Sequence, residues 1–127
     1  MDVHLSQEAQ QYLAALQLVS PRACGFLMGH KRGHRFFVEK ILPSSTGFMF
    51  SLKKQLQLHK ILDDPIIGFF SFDTDKTLLK KMLVPFSTGM LFLKINHSEE
   101  NKTSFNPFVI EYDNKFYLSP IKIKSLA

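Results

Sequence analysis

The predicted fold is built around one stretch near the middle of the chain, Ile66-Ile67-Gly68-Phe69-Phe70-Ser71-Phe72-Asp73-Thr74-Asp75. It is almost entirely apolar as far as Phe72 and then turns abruptly to small polar and acidic residues. A short, bulky run bounded in this way is typical of a strand that is covered on both faces, because such a strand has no side left for polar residues. We therefore predict a buried central strand with candidate functional residues at its polar end.

The segments around this strand predict an α/β fold in which a mixed sheet is flanked by helices, in a single domain over residues 1–127. Ser6 is a natural N-cap for the first helix, and Asp113 and Asn114 favour a tight turn in the last hairpin. In chain order we expect a helix over 5–18, a hairpin with strands over 23–29 and 35–42, a helix over 51–62, the central strand, a short helix over 76–83, a strand over 90–95, a polar loop over 97–106, and a closing hairpin with strands over 107–112 and 116–123.

Composition excludes several classes of protein. The chain has one cysteine, so an internal disulfide framework is excluded, and no apolar run reaches the ~18 residues of a membrane span. The N-terminus lacks the pattern of a secretion signal. The net charge of +5 comes mostly from lysines spread along the chain, whereas a nucleic-acid groove reader concentrates its cations and favours arginine. We expect a cytoplasmic protein that binds neither membrane nor nucleic acid.

Two stretches resemble the JAMM/MPN (JAB) domain, the domain of zinc isopeptidases that remove ubiquitin-like modifiers and of their inactive relatives. Pro21-Arg22-Ala23-Cys24-Gly25-Phe26-Leu27-Met28-Gly29 is similar to the opening strand of that family. Ile66-Ile67-Gly68-Phe69-Phe70 resembles the strand that leads into its histidine motif. The resemblance implies an MPN/JAB-like, cytidine-deaminase-like mixed sheet flanked by helices.

The same resemblance implies that the zinc site has been lost. Arg22 stands where the active family has the glutamate that holds the attacking water, and Ser71 and Asp73 stand at its two histidines. A hydrolytic zinc site needs three protein ligands and one open position, which Asp73 cannot supply even with Asp75 nearby. We expect no catalytic residue, metal or cofactor here, and we predict an Arg22–Asp73 ion pair in place of base and metal.

Two enzyme alternatives stay open. Asp73-Thr74-Asp75-Lys76-Thr77 resembles the motif of haloacid-dehalogenase-like phosphatases, in which the first aspartate attacks phosphorus, the second handles a proton, and Mg²⁺ neutralises the phosphate oxygens. That family needs further parallel strands and motif residues downstream, whereas the rest of this chain predicts one strand and an antiparallel hairpin. The other alternative is a divergent JAMM-type metallohydrolase.

The sequence therefore favours an interaction or scaffold role. Inactive members of the resembled family pair with active ones, so the expected partner is a protein, either an active MPN-type subunit or a second copy in a homodimer. The candidate surfaces are the outer positions of the helices over 5–18 and 51–62, together with three phenylalanines near the former pocket, Phe48, Phe50 and Phe72.

Overall fold

A computed structural model describes residues 1–19, 22–44, 66–72, 83, 85–97 and 103–125. Strands dominate this part of the chain, with one α-helix and one short 3-10 turn at Pro85–Ser87. The elements in chain order are β1 (Asp2–Leu5), α1 (Gln7–Val19), β2 (Cys24–Arg32), β3 (Arg35–Ser44), β4 (Ile66–Ser71), β5 (Leu91–His97), β6 (Thr103–Tyr112), β7 (Phe116–Pro120) and β8 (Lys122–Ser125).

The eight strands form one sheet in the order β7-β6-β5-β4-β2-β3-β1-β8. Its two end strands, β7 and β8, follow each other directly in the chain, separated by Ile121 alone. The Ile121 backbone N–H donates to the Pro107 carbonyl of β6 at 3.1 Å. The two ends of the sheet therefore curl toward each other, and the sheet is nearly closed, like a barrel.

Apolar side chains cover both faces of the central strands. The inner cluster, which α1 covers with Ala9 and Leu13, includes Phe70 of β4. The outer cluster on the opposite face includes Phe69 of β4, and both phenylalanines are fully buried. The prediction of a strand buried on both faces is confirmed.

The start of α1 is set by Ser6. The Ser6 hydroxyl accepts a hydrogen bond from the Ala9 backbone N–H at 3.1 Å, as the predicted N-cap requires. The two predicted hairpin turns are also confirmed, since Gly33 and Asn114 adopt positive φ angles of 57° and 61° between β2 and β3 and between β6 and β7. No helix in the described part of the chain has the length and apolar character needed to cross a membrane.

The predicted fold class is wrong. A helix-flanked α/β sheet of MPN/JAB type was expected, whereas the described residues form a mostly β structure with a nearly closed eight-stranded sheet. Two strands were missed because β1 and β8 are only four residues long and pair with segments distant in sequence. A third strand was predicted too short, because β6 begins at Thr103, inside the predicted polar loop. The predicted helices over 51–62 and 76–83 lie outside the described residues.

Candidate functional site

Ser71, which the JAMM resemblance predicts at a zinc-histidine position, is the last residue of β4 and is only 1% exposed. Its Cα partners are Cys24 on β2 and Lys94 on β5, and Lys94 is in turn paired with Asn106 on β6. Directly opposed residues of neighbouring strands project from the same face of a sheet. These four residues, Cys24, Ser71, Lys94 and Asn106, therefore form a cross-strand row.

The cross-strand row lies on the face of the outer cluster, because Cys24 belongs to that cluster. Cys24 is 6% exposed and Ser71 nearly inaccessible, whereas Lys94 and Asn106 are half-buried. The Asn106 side-chain amide donates to the Lys94 carbonyl at 3.4 Å and so ties β6 to β5. Between Cys24 and Lys94 the row therefore carries a small hydroxyl that is shielded from solvent.

Arg22 lies close to the end of β4. It is exposed, in the turn before β2. The Phe72 N–H donates to the Ala23 carbonyl at 3.2 Å, which extends the β2–β4 pairing one residue beyond Ser71 and brings Arg22 to the end of β4. Asp73 and Asp75 lie outside the described residues, so the Arg22–Asp73 ion pair stays a prediction.

Of the three phenylalanines proposed for an interface, the structure describes one. Phe72 is half-buried against the inner cluster, and its ring meets that of Phe70 edge to face with centroids 5.8 Å apart. Phe48 and Phe50 lie outside the described residues. An interface at these three residues stays a prediction.

The described residues offer neither a metal site nor the strand arrangement of the phosphatase alternative. Within the described ranges, no three His, Cys, Asp or Glu side chains lie close enough together to bind a metal ion. β4 runs parallel to β5 and antiparallel to β2, whereas the phosphatase alternative requires parallel neighbours around its motif. The motif itself, from Asp73 to Thr77, is outside the described part of the chain.

Lys94 and Asn106 were not predicted as neighbours of Ser71. Lys94 is the one charged residue inside the run Leu91-Phe92-Leu93-Lys94-Ile95, and a lysine within a buried strand was a usable signal. Asn106 had no comparable signal, because it was assigned to a loop. The pairing register, which the sequence does not display, brings both residues to the end of β4.

A pH-sensitive contact lies near the β6–β7 turn, at the edge of the sheet. The pKa of Tyr117 is raised above its ordinary value of 10.0 because its hydroxyl donates to the Glu111 carboxylate, whose negative charge also opposes ionisation, with smaller contributions from burial and from Asp113. The unfolded chain loses this proton first, so the contact stabilises the fold below about pH 10 and that contribution is lost as the pH rises through the folded-state pKa.

We expect the substitution Glu111→Gln to lower the pKa of Tyr117, because it removes the charged acceptor. The measurement is the ring ¹³C chemical shift of labelled tyrosine as a function of pH. An unchanged titration of Tyr117 in this variant would contradict the hydrogen bond.

No protein-family model and no curated protein matches the chain. Its structure is similar to the solution structure of protein DSY2949 from Desulfitobacterium hafniense, with 20% sequence identity and a TM-score of 0.63. The alignment covers 98% of this chain and 94% of that one. This is a likeness of fold alone.

Proposed function

We propose that the chain is a non-catalytic protein-interaction module whose partner is a second copy of itself, bound through one side of α1. That side, here called the α1 outer face, consists of Tyr12, Ala15, Leu18 and Val19. The observation that carries the proposal is exposure: Leu18 is 79% and Val19 is 82% exposed, and Tyr12 is 45% exposed. Contiguous exposed apolar side chains of this kind mark protein interfaces.

The α1 outer face is suited to a helix of the same kind. The positions three, four and seven residues apart lie along one side of an α-helix, and the opposite side, with Ala9 and Leu13, is buried against the sheet. Ala15, also exposed, has a small side chain that lets a second helix approach closely. Two copies can therefore bury these apolar side chains against each other.

The absence of charged residues in this part of α1 favours self-association through the α1 outer face. The segment from Ala9 to Val19 contains no charged residue, whereas the whole chain carries a net charge of +5. Association through a basic surface would bring like charges together, which opposes binding. Two α1 outer faces can meet without that repulsion.

The loss of a JAMM-type zinc site stays a proposal that rests on the sequence resemblance of residues 21–29 and 66–70. The nearly closed sheet is not the fold expected from that resemblance. A cytoplasmic location belongs to the same proposal.

We expect the double substitution Leu18→Gln and Val19→Gln to weaken self-association about 100-fold or more, because each apolar side chain buried at an interface contributes on the order of 1.5 kcal/mol, the two in one copy contribute roughly 3 kcal/mol, and tenfold corresponds to ~1.4 kcal/mol. The measurement is sedimentation equilibrium over a range of concentrations. Both positions are highly exposed, so the fold of the variant is expected to be intact.

The matched control replaces Tyr112 and Tyr117 with glutamine. These residues are also exposed, at 58% and 42%, but lie on the β6–β7 hairpin. We expect this control to self-associate like the wild type. A wild-type chain that stays monomeric at high micromolar concentration would contradict the homodimer. If that monomer formed a tight complex with an active MPN-type subunit, the other predicted partner would be the correct one.

A further inference from the structure

A pocket opens at the turn between β2 and β3, on the side of the sheet that faces away from α1. Its volume is about 380 Å³, it is open to solvent, and it is lined by Met1, Asp2, Arg32, His34, Arg35 and Phe37. Ligand pockets in proteins have volumes of about 300 to 1,000 Å³. The space is therefore sufficient for a small molecule, and the lining is rich in cationic side chains.

Two arginines are placed side by side in this pocket. Arg32 and Arg35 are Cα partners at the end of the β2–β3 ladder, so their side chains leave the same face of the sheet. Like charges directly opposite each other on two strands are destabilising. Asp2 pairs with Arg35, whereas Arg32 forms no ion pair with any residue that the structure describes. Positive charge is therefore left over at the pocket.

The ion pair with Asp2 uses only part of the N–H donors of Arg35. The Arg35 Nε donates to Asp2 Oδ1 at 2.7 Å, and Arg35 Nη2 donates to Asp2 Oδ2 at 3.2 Å. A guanidinium has five N–H donors, so three remain beyond this pair. Arg35 stays 41% exposed, while the Asp2 side chain is 19% exposed. Asp2 thus fixes the orientation of a guanidinium whose other edge is available for an oxyanion.

Phe37 supplies an apolar wall beside the two arginines. It is half-buried, and the His30 ring stacks on it with centroids 4.8 Å apart and an interplanar angle of 14°. His30 is in turn held by Glu39, with His30 Nδ1 and Glu39 Oε1 3.1 Å apart. The orientation of the Phe37 ring is therefore fixed by its stacking on His30.

We propose that this basic pocket binds a phosphomonoester, with the phosphate on Arg32 and Arg35 and the organic group against Phe37. A phosphomonoester offers three strong acceptor oxygens and a charge of about −1.5 to −2 at pH 7, so it can accept from Arg32 and from the remaining donors of Arg35 at once, whereas a carboxylate has two oxygens and a single charge. Guanidinium forks pair with phosphate oxygens through two parallel hydrogen bonds. The ligand neutralises the excess positive charge between the two strands.

The test is titration of the full chain with phenyl phosphate, followed by amide chemical shifts and by calorimetry. We expect saturable binding, with shifts concentrated in residues 2–4 and 30–37, and weaker binding of inorganic phosphate, which lacks the ring. The substitution Arg32→Gln is expected to weaken phenyl phosphate binding about tenfold or more, because it removes charge-assisted hydrogen bonds. Arg32 is exposed, so this variant is expected to fold.

Lys31→Gln is the matched control. It removes the same charge one residue away, but Lys31 points to the other face of the sheet, with its Nζ 5.0 Å from the centre of the Phe36 ring. We expect less than a twofold change in affinity. No binding at millimolar ligand, equal binding of inorganic and phenyl phosphate, or an equal loss of affinity in both variants would each overturn the proposal.

Discussion

Replacing Gly68 with alanine is expected to destabilise the fold by about 3 kcal/mol or more, at the upper end of what an overpacked site costs. A Cβ atom at Gly68 would lie 2.2 Å from the Leu91 carbonyl oxygen and 2.8 Å from its carbonyl carbon. Those atoms belong to the backbone of β5, the parallel neighbour of β4. They cannot move aside as the end of a flexible side chain can, so the two strands must separate. The measurement is the free energy of unfolding from urea denaturation followed by circular dichroism.

Gly33 provides the control for this substitution. Its φ angle is 57°, and a Cβ atom there would meet nothing within 4 Å. Alanine at this position has only the cost of a left-handed backbone, about 1 to 2 kcal/mol. We expect Gly68→Ala to be clearly the more destabilising of the two, and equal effects would contradict the close approach of β4 and β5.

Replacing Phe70 with alanine is expected to reduce the free energy of unfolding by about 3 to 5 kcal/mol, the range measured when a large buried aromatic side chain is truncated. Phe70 is fully buried in the inner cluster, which connects the sheet to α1. Domains are stabilised by only about 5 to 15 kcal/mol in total, so this loss is a large share. Thermal unfolding followed by circular dichroism measures it.

The matched control is Phe72→Ala, two residues further along the same face. Phe72 is only half-buried and packs on the margin of the inner cluster, so less apolar area becomes exposed and the loss is expected to be less than half as large. If Phe72→Ala lowered stability as much as Phe70→Ala, the centre of the inner cluster would not be where the structure places it.

Local signals predicted several individual elements and turns. Three local signals specify a conformation through neighbours in the sequence, and the structure agrees with each: the apolar run of β4, the N-cap Ser6 and the turn residue Asn114. These features depend on burial patterns and on backbone preferences, both of which a sequence displays directly.

The architecture could not be predicted in the same way, because it depends on pairing between distant segments. Val3 of β1 is opposite Phe36 on one side and Ile123 on the other. Strands of four residues give too few positions for an alternating pattern to stand out. A resemblance in two short stretches supplied the expected helix-flanked sheet, and the nearly closed sheet contradicts it.

The candidate site was predicted only in part. The sequence correctly placed Ser71 at the end of a buried strand, but the Cα pairing that puts Cys24 and Lys94 beside it is a matter of register. The basic pocket was missed for the same reason, because Asp2 and Arg35 are 33 residues apart in the chain. Charges that look evenly spread in the sequence become a local cluster once the strands pair.

We propose that two copies bind each other through the α1 outer face. The most direct measurement is an isotope-filtered nuclear Overhauser experiment on a mixture of labelled and unlabelled chains, which detects contacts between copies only. We predict contacts from the Leu18 and Val19 methyl groups to the Tyr12 ring of the other copy, and we expect these contacts to be absent in the double glutamine variant. Contacts between copies that arise from other surfaces, or none at a concentration well above the dissociation constant found by sedimentation, would contradict it.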